Sequence, residues 1–161
     1  MEHARQADAT DLELVAGLWS AAVAELDGQR GGSLLAGSLT RTDLQSELER
    51  SHADPERLIV VGLLDEVPVG FAAAFCDRSR TVAVAVIEVI YVQPEGRQVG
   101  VAEAMVNRVA VWAADRGCVG VDAPALPGSR AAKAFFEDNG FTARLLVMHR
   151  PLRETELADG H

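Results

Sequence analysis

The stretch from Glu88 to Ala102, EVIYVQPEGRQVGVA, constrains the fold more than any other part of the chain. It reads as a β-strand ending at Val92, a Pro94-Glu95-Gly96 turn, and a loop that enters a helix through Gly100. The first turn of a helix carries N–H groups with no intrahelical acceptor, and its dipole favours negative charge at that end. A strand feeding a glycine loop and a helix N-terminus is therefore a place to hold phosphate. Two familiar phosphate sites are excluded by pattern. A dinucleotide fold needs G-x-G-x-x-G after the first strand of a βαβ unit, with an acidic residue about 20 positions on. A P-loop needs G-x-x-x-x-G-K-[ST]. The chain contains neither.

The elements around this stretch follow from periodicity. His3–Ala7 reads as a short first strand. Thr10-Asp11-Leu12-Glu13 has the capping-box pattern and opens a helix to Asp27, with Leu12, Val15, Ala16, Trp19, Ala22, Val23 and Leu26 on one apolar stripe. The glycine-rich run Gly28–Gly37 reads as a flexible loop, and a lid over substrate is one use for it. A second helix, capped by Thr40 or Thr42, turns Leu44 and Leu48 inward and ends near Ser51. Three strand-like runs follow, Leu58–Leu64, Val67–Phe75 and Thr81–Val92, joined by turns at Asp65-Glu66 and Arg78–Arg80. Such short connections make an antiparallel meander. A helix over Val99–Arg116 stops at Gly117 and leads to a buried strand, Val119–Ala123, parallel to the strand before the helix. A helix over Ser129–Asn139 stops at Gly140, and Phe141–Met148 is the last strand. The order β-α-α-β-β-β-α-β-α-β gives an α/β fold with a mixed sheet, one domain over residues 1–152, and a disordered tail over 153–161.

Composition narrows the partners. A net charge of −9 argues against nucleic acid, whose backbone is held by basic surface, and weakly favours a cationic substrate. No apolar run reaches the roughly 18–20 residues of a membrane span, and the N-terminus lacks a secretory pattern. Cys76 and Cys118 sit in apolar segments and read as buried free thiols, which points to the cytoplasm. The four histidines are scattered without ligand spacing, so no metal is expected. Trp19 and Trp112 lie on apolar helix stripes and read as core.

Two segments carry a family resemblance. Arg97-Gln98-Val99-Gly100-Val101-Ala102 resembles the pyrophosphate loop R/Q-x-x-G-x-G/A of the GNAT superfamily of N-acetyltransferases. It follows a strand ending hydrophobic-x-Val-x-Pro, Ile90 to Pro94, as in that family. AKAFFEDNGF, Ala132 to Phe141, resembles the family's second segment, A-x-x-F-Y-E-x-x-G-F. The agreement in order and spacing extends over residues 10–150.

The resemblance implies a GNAT-like mixed sheet with helices on both faces, and acetyl-CoA as co-substrate. It places the coenzyme between the third meander strand and Val119–Ala123. Ile90, Tyr91 and Val92 would meet the pantetheine arm; Arg97, Gln98, Val99, Gly100, Val101 and Ala102 the pyrophosphate. Ser129 and Phe136 would lie near the coenzyme, and Arg130 and Lys133, at the start of that helix, are placed to meet its phosphates. A solvated helix face is the other reading of Lys133 and its neighbour Arg130. The implied reaction is direct transfer of an acetyl group to a primary amine, on a small molecule or a peptide. A free amine has a pKa near about 10, so a base must take a proton before attack. Glu88, on an otherwise apolar strand, is the candidate; a structural carboxylate is the other reading. The tyrosine usually credited with protonating the departing thiolate aligns with Phe136, and the family's common asparagine aligns with Ser129. These departures leave room for a coenzyme A-binding sensor or scaffold without catalysis. A homodimer is compatible with the family.

Overall fold

Strand β1, Glu2–Gln6, lies at one edge of a five-stranded sheet whose order follows the chain. After it come helices α1, Leu12–Asp27, α2, Gly32–Leu39, and α3, Leu44–Ala53. Strands β2, Arg57–Leu64, β3, Val67–Asp77, and β4, Val84–Val92, form the antiparallel meander. Helix α4, Val101–Asp115, crosses to β5, Val121–Asp122, which pairs parallel with β4. Helix α5, Arg130–Asp138, and a five-residue helix α6, Glu154–Ala158, complete the elements. This computed structural model describes residues 1–158; the remainder of the expected tail, 159–161, lies outside the described residues.

Alternation along the strands builds two core layers. On one face Ile59, Val61, Leu63, Phe71 and Ala73 meet Leu12, Val15, Trp19 and Ala22 of α1, Leu39 of α2 and Leu48 of α3. On the other, Leu58, Val60, Ala72, Ala74 and Ile87 meet Val101, Met105, Val109 and Trp112 of α4. Each strand residue faces opposite its neighbour, so a sheet covered on both sides needs apolar residues at nearly every position, and β2 and β3 supply them. In β4 the alternation changes phase. Ala73 of β3 pairs with Val89 and Ala74 with Ile87, leaving Glu88 without a partner in the ladder. This β-bulge sends Ile87 into the α4 layer and Val89 into the α1 layer.

Several sequence expectations are corrected. The capping box forms two residues earlier, where Asp8 Oδ1 accepts from Thr10 N at 3.0 Å and Asp11 Oδ2 accepts from Asp8 N at 2.8 Å. Arg5 of β1 fixes it there, donating to both Asp11 oxygens at 2.6 and 3.1 Å, a tertiary contact that no local pattern reveals. The glycine-rich run is mostly helix α2. Gly32 lets it dock, because a Cβ there would fall 1.8 Å from the Leu26 carbonyl oxygen. Trp19 Nε1 holds the far end through the Leu39 carbonyl at 2.8 Å. Asp43, not Thr40 or Thr42, caps α3, accepting from Ser46 N at 3.1 Å. The expected buried strand Val119–Ala123 contracts to two ladder residues, and Val119 is 69% exposed. No strand forms over Phe141–Met148, and residues 154–158 of the expected tail are helical. Cys76 and Cys118 are only partly buried and lie 3.5 Å apart, and burial with the neighbouring thiol pushes Cys76 up to about 12.

The Arg5–Asp11 pair ties β1 to the start of α1, and it lowers the Asp11 carboxyl below its ordinary value of 3.8. A depressed folded pKa gives stability that is complete above the unfolded value and is lost as pH falls through the folded one. Asp11→Asn should therefore cost about 2 kcal/mol near neutral pH. The gap to wild type should begin to narrow in urea melts below pH 3.8 and close as pH falls through the lowered folded value. A gap that persists in acid would show that the ion pair is not its source.

Candidate active site

Beyond Val86, β4 and β5 are no longer joined. Their parallel ladder consists of Ala85 with Val121 and Val86 with Asp122. Past these two rungs the chain after β5 departs through Pro124 and Pro127, and the space between the diverging walls is a cleft of about 560 Å³. The floor is β4 from Ile87 to Val92; one wall is Ala123–Leu126 with Ser129, Ala132, Phe135 and Phe136, and the other is α1 with Leu35 of α2. Gly96, Arg97, Gln98, Gly100 and Ala102 close the end where α4 begins.

Of the residues expected from sequence, Glu88, Ile90, Tyr91, Val92, Arg97, Gln98, Gly100, Ala102, Ser129 and Phe136 line this cleft. Val99, Val101 and Lys133 do not. Val101 is fully buried in the α4 core layer, while Val99 points to solvent. Lys133 is an exposed residue 3.5 Å from Glu137 one helical turn on, the solvated-face reading. The sequence misses Glu25 of α1 and Gln29 just beyond its end. A signal existed for Glu25: it falls beside Ala22 and Leu26 on the helix, where a purely structural face would carry an apolar residue.

Gly100 has φ +89° and forms the left-handed entry to α4, and Gln98 is also left-handed at φ +64°. Gly100 is thus required by backbone conformation as well as by close approach. A non-glycine residue at positive φ is uncommon, and Gln98 stores strain in the loop that faces the cleft. The amides of the first turn of α4 lack intrahelical acceptors, so the loop and helix end together offer donors to an anion. Arg97 crosses the cleft end. Its Nε donates to the Val92 carbonyl at 2.8 Å, Nη2 donates to Glu25 Oε2 at 2.6 Å, and its guanidinium lies 5.6 Å from the Tyr91 ring centre. Glu25 is the largest reason that Arg97 is raised above its ordinary pKa.

Glu88, the bulged residue, has its carboxylate mostly shielded from solvent. Oε1 accepts from Arg57 Nη1 at 3.0 Å, and Oε2 lies 3.7 Å from Arg41 Nη2. An acid that looks unpaired on an apolar strand is thus held by two guanidiniums from β2 and from the segment before α3. Both come from distant sequence. Phe136 packs between Phe135 and Phe141, with ring centres 5.3 and 5.1 Å away, and brings no hydroxyl to the cleft. Ser129 caps α5, its Oγ accepting from Ala132 N at 3.3 Å. Among the described residues, no group of three or more His, Cys, Asp and Glu side chains is placed to hold a metal ion, and no helix is long and apolar enough to cross a membrane.

The architecture is that of an acyltransferase cleft, with splayed parallel strands over a helix N-terminus. The chain belongs to the GNAT acetyltransferase family, whose model matches residues 23–141. No curated protein matches it by sequence. Among solved structures it is similar to the aminoglycoside acetyltransferase AAC(6')-Iy in complex with the bisubstrate analogue CoA-S-monomethyl-acetylneamine, with TM-score 0.75 and 22% identity over 95% of this chain and 99% of that one. It is also similar to the aminoglycoside acetyltransferase meta-AAC0020 from an uncultured soil metagenomic sample, in complex with sisomicin, with TM-score 0.70 and 17% identity over 94% and 95%. A transcriptional regulator from Bacillus halodurans C-125 has TM-score 0.68 and 20% identity over 93% and 100%.

Gly100→Ala places a side chain at φ +89° and brings its Cβ 3.1 Å from Glu2 Cγ. It should destabilise the fold by about 1–2 kcal/mol in urea denaturation. An unchanged midpoint would show that the left-handed entry is not needed.

Proposed function

We propose that this chain transfers an acetyl group from acetyl-CoA to a primary amine by direct attack, without a covalent enzyme intermediate. The observation that carries the proposal is the splay of β4 and β5 over the loop that enters α4. A ligand with a phosphate end and a narrow extended arm fits that shape. The phosphates meet the Gly100 loop and the first amides of α4, and the arm lies along Ile90–Val92. The thioester then reaches the middle of β4, on which Glu88 sits. The amine nitrogen forms a C–N bond to the thioester carbonyl as the C–S bond breaks and the thiolate leaves.

Glu88 is the proposed acceptor of the amine proton, directly or through water. Its ion pairs with Arg57 and Arg41 fix the carboxylate in place. A general base contributes roughly 10²–10⁴-fold. Phe136 supplies no acid; a thiolate of pKa about 8.5 leaves without a protein proton donor. Of the carboxylates that line the cleft, Glu88 is paired with Arg57 and Arg41 and Glu25 with Arg97, which leaves Glu103 and Asp138 to give it a modest negative balance that favours a cationic acceptor. The aminoglycoside complexes among the structural neighbours support the same class. A second reading, coenzyme A binding without transfer, is favoured by the two guanidiniums on Glu88 and by the phenyl ring of Phe136.

Coenzyme release measured with a panel of primary amines tests the proposal. Turnover with at least one amine supports transfer, and binding of acetyl-CoA with none supports the second reading. Glu88→Gln should lower kcat by about 10²-fold or more; unchanged turnover removes Glu88 from proton transfer. Because Arg97 is held by Glu25, an incoming phosphate competes with that carboxylate. Glu25→Gln should tighten CoA binding about two- to five-fold by calorimetry, the range set by a half-exposed ion pair. Unchanged or weaker binding would show that the pair does not oppose the ligand.

A further inference from the structure

Cys76 and Cys118 are the two cysteines of the chain, 42 residues apart, and the fold brings their sulfurs to 3.5 Å. The backbone holds each of them in place. Cys76 is the last residue but one of β3, where it pairs with Ala85 and its N–H donates to the Glu56 carbonyl at 2.9 Å. Cys118 follows the left-handed stop of α4 at Gly117, and its N–H donates back to the Ala113 carbonyl at 3.0 Å. Both pack against the α4 core layer, and both keep some surface open to solvent. A disulfide needs sulfurs about 2.05 Å apart, so rotation of two short side chains has only ~1.5 Å to cover. Neither cysteine lines the cleft, and the proposed transfer makes no use of them.

The surroundings give the two sulfurs different roles. Burial, then the neighbouring sulfur, then the Glu56 carboxylate push Cys76 up to about 12, so it keeps its proton near neutral pH. Thiol–disulfide exchange starts from a thiolate, and that leaves Cys118 to begin it. The Arg78 guanidinium stands near both sulfurs. It is raised chiefly by its 2.7 Å hydrogen bond to Glu56, and further by the charge of Cys76 and Cys118. Its Nη2 also donates to the carbonyl of Arg116, two residues before Cys118, at 2.8 Å. A cation held there favours an attacking thiolate.

We propose that Cys76 and Cys118 are an oxidation site for a small disulfide of the oxidised-glutathione class, which closes them into an intrachain disulfide joining β3 to the root of β5. The Cys118 thiolate attacks one sulfur of the oxidant. A Cys118–glutathione disulfide forms, the oxidant's own S–S bond breaks, and one glutathione thiolate leaves. The Cys76 sulfur then attacks the Cys118 sulfur. The protein disulfide forms as the mixed disulfide breaks, and the second glutathione departs with the Cys76 proton. Two protein thiols are oxidised, and one glutathione disulfide is reduced to two thiols. The bond sits where β5 is least secured. Two ladder pairs join β5 to β4, and just ahead of them Val119 N donates to the Ala83 carbonyl at 2.9 Å. A covalent link at Cys118, the residue before Val119, clamps the closed end of the fork from which the cleft wall Ala123–Leu126 departs. The proposal rests on the sulfur pair and does not depend on acetyl transfer.

Folded wild type incubated with oxidised glutathione at neutral pH, without denaturant, then acid-quenched and weighed by mass spectrometry, should lose two hydrogens. No free thiol should remain in a titration under denaturing conditions. Its urea midpoint should lie about 1–2 M above that of the reduced protein and return on addition of a reductant. Cys76→Ser should stop at the Cys118–glutathione adduct, and Cys118→Ser should take up glutathione about tenfold or more slowly than Cys76→Ser. Wild type that ends with glutathione attached, keeps both thiols or links chain to chain would overturn the site. A midpoint unchanged or lowered by oxidation would overturn the clamp. Equal or faster uptake by Cys118→Ser would overturn the order of attack. The wild-type measurements stand without either variant.

Discussion

Strand β4 is hydrogen-bonded to β3 along its length and to β5 through only two residues, and this asymmetry makes the site. A parallel pair that stays in register leaves no room between its strands. Here the ladder stops at Val86 and Asp122, and the prolines after Ala123 carry the partner strand away. The β3 side of β4 remains anchored, so the opening costs the sheet little. The bulge at Glu88 lies just where the strands part. It places the one carboxylate of β4 at the floor of the cleft and changes the phase of the strand, so that Ile87 and Val89 fall into opposite core layers.

The electrostatics of the cleft follow from the same geometry. Glu88 sits outside the ladder, where a charged group meets side chains rather than backbone, and Arg41 and Arg57 supply compensation. Burying such a carboxylate alone would be costly; paired, it can be kept at a fixed place. At the far end Arg97 joins α1 to the loop through Glu25 and to β4 through the Val92 carbonyl. The loop that offers amides to an anion is thereby tied to the strand and the helix that flank it.

Much of the fold was legible because it depends on period and punctuation. The apolar stripe of α1, the meander turns, the left-handed stops at Gly117 and Gly140, and the parallel crossover to β5 all appear where local pattern put them. The errors share a cause. Gly28–Gly37 looks like a loop because glycine is a poor helix former, yet docking against α1 requires a residue without Cβ at Gly32, so packing outweighs propensity. Phe141–Met148 looks like a strand and has the residues for one, but a strand exists only with a neighbour. No neighbour is provided within the described chain.

By itself, the sequence determined the glycine-loop end of the cleft. The loop from Arg97 to Ala102 and the segment from Ala132 to Phe141 are local motifs, and local motifs fix backbone conformation within a few residues. It also determined the missing hydroxyl at Phe136. Only the tertiary structure decided what Glu88 is. Its bulge, its two guanidinium partners and its place on the cleft floor come from β2, β3 and the segment before α3, brought together by the sheet register. Glu25 entered the site in the same way. The physical reason is that hydrogen-bond geometry along a chain is short-ranged, while the charges that surround a side chain are gathered from wherever the fold puts them.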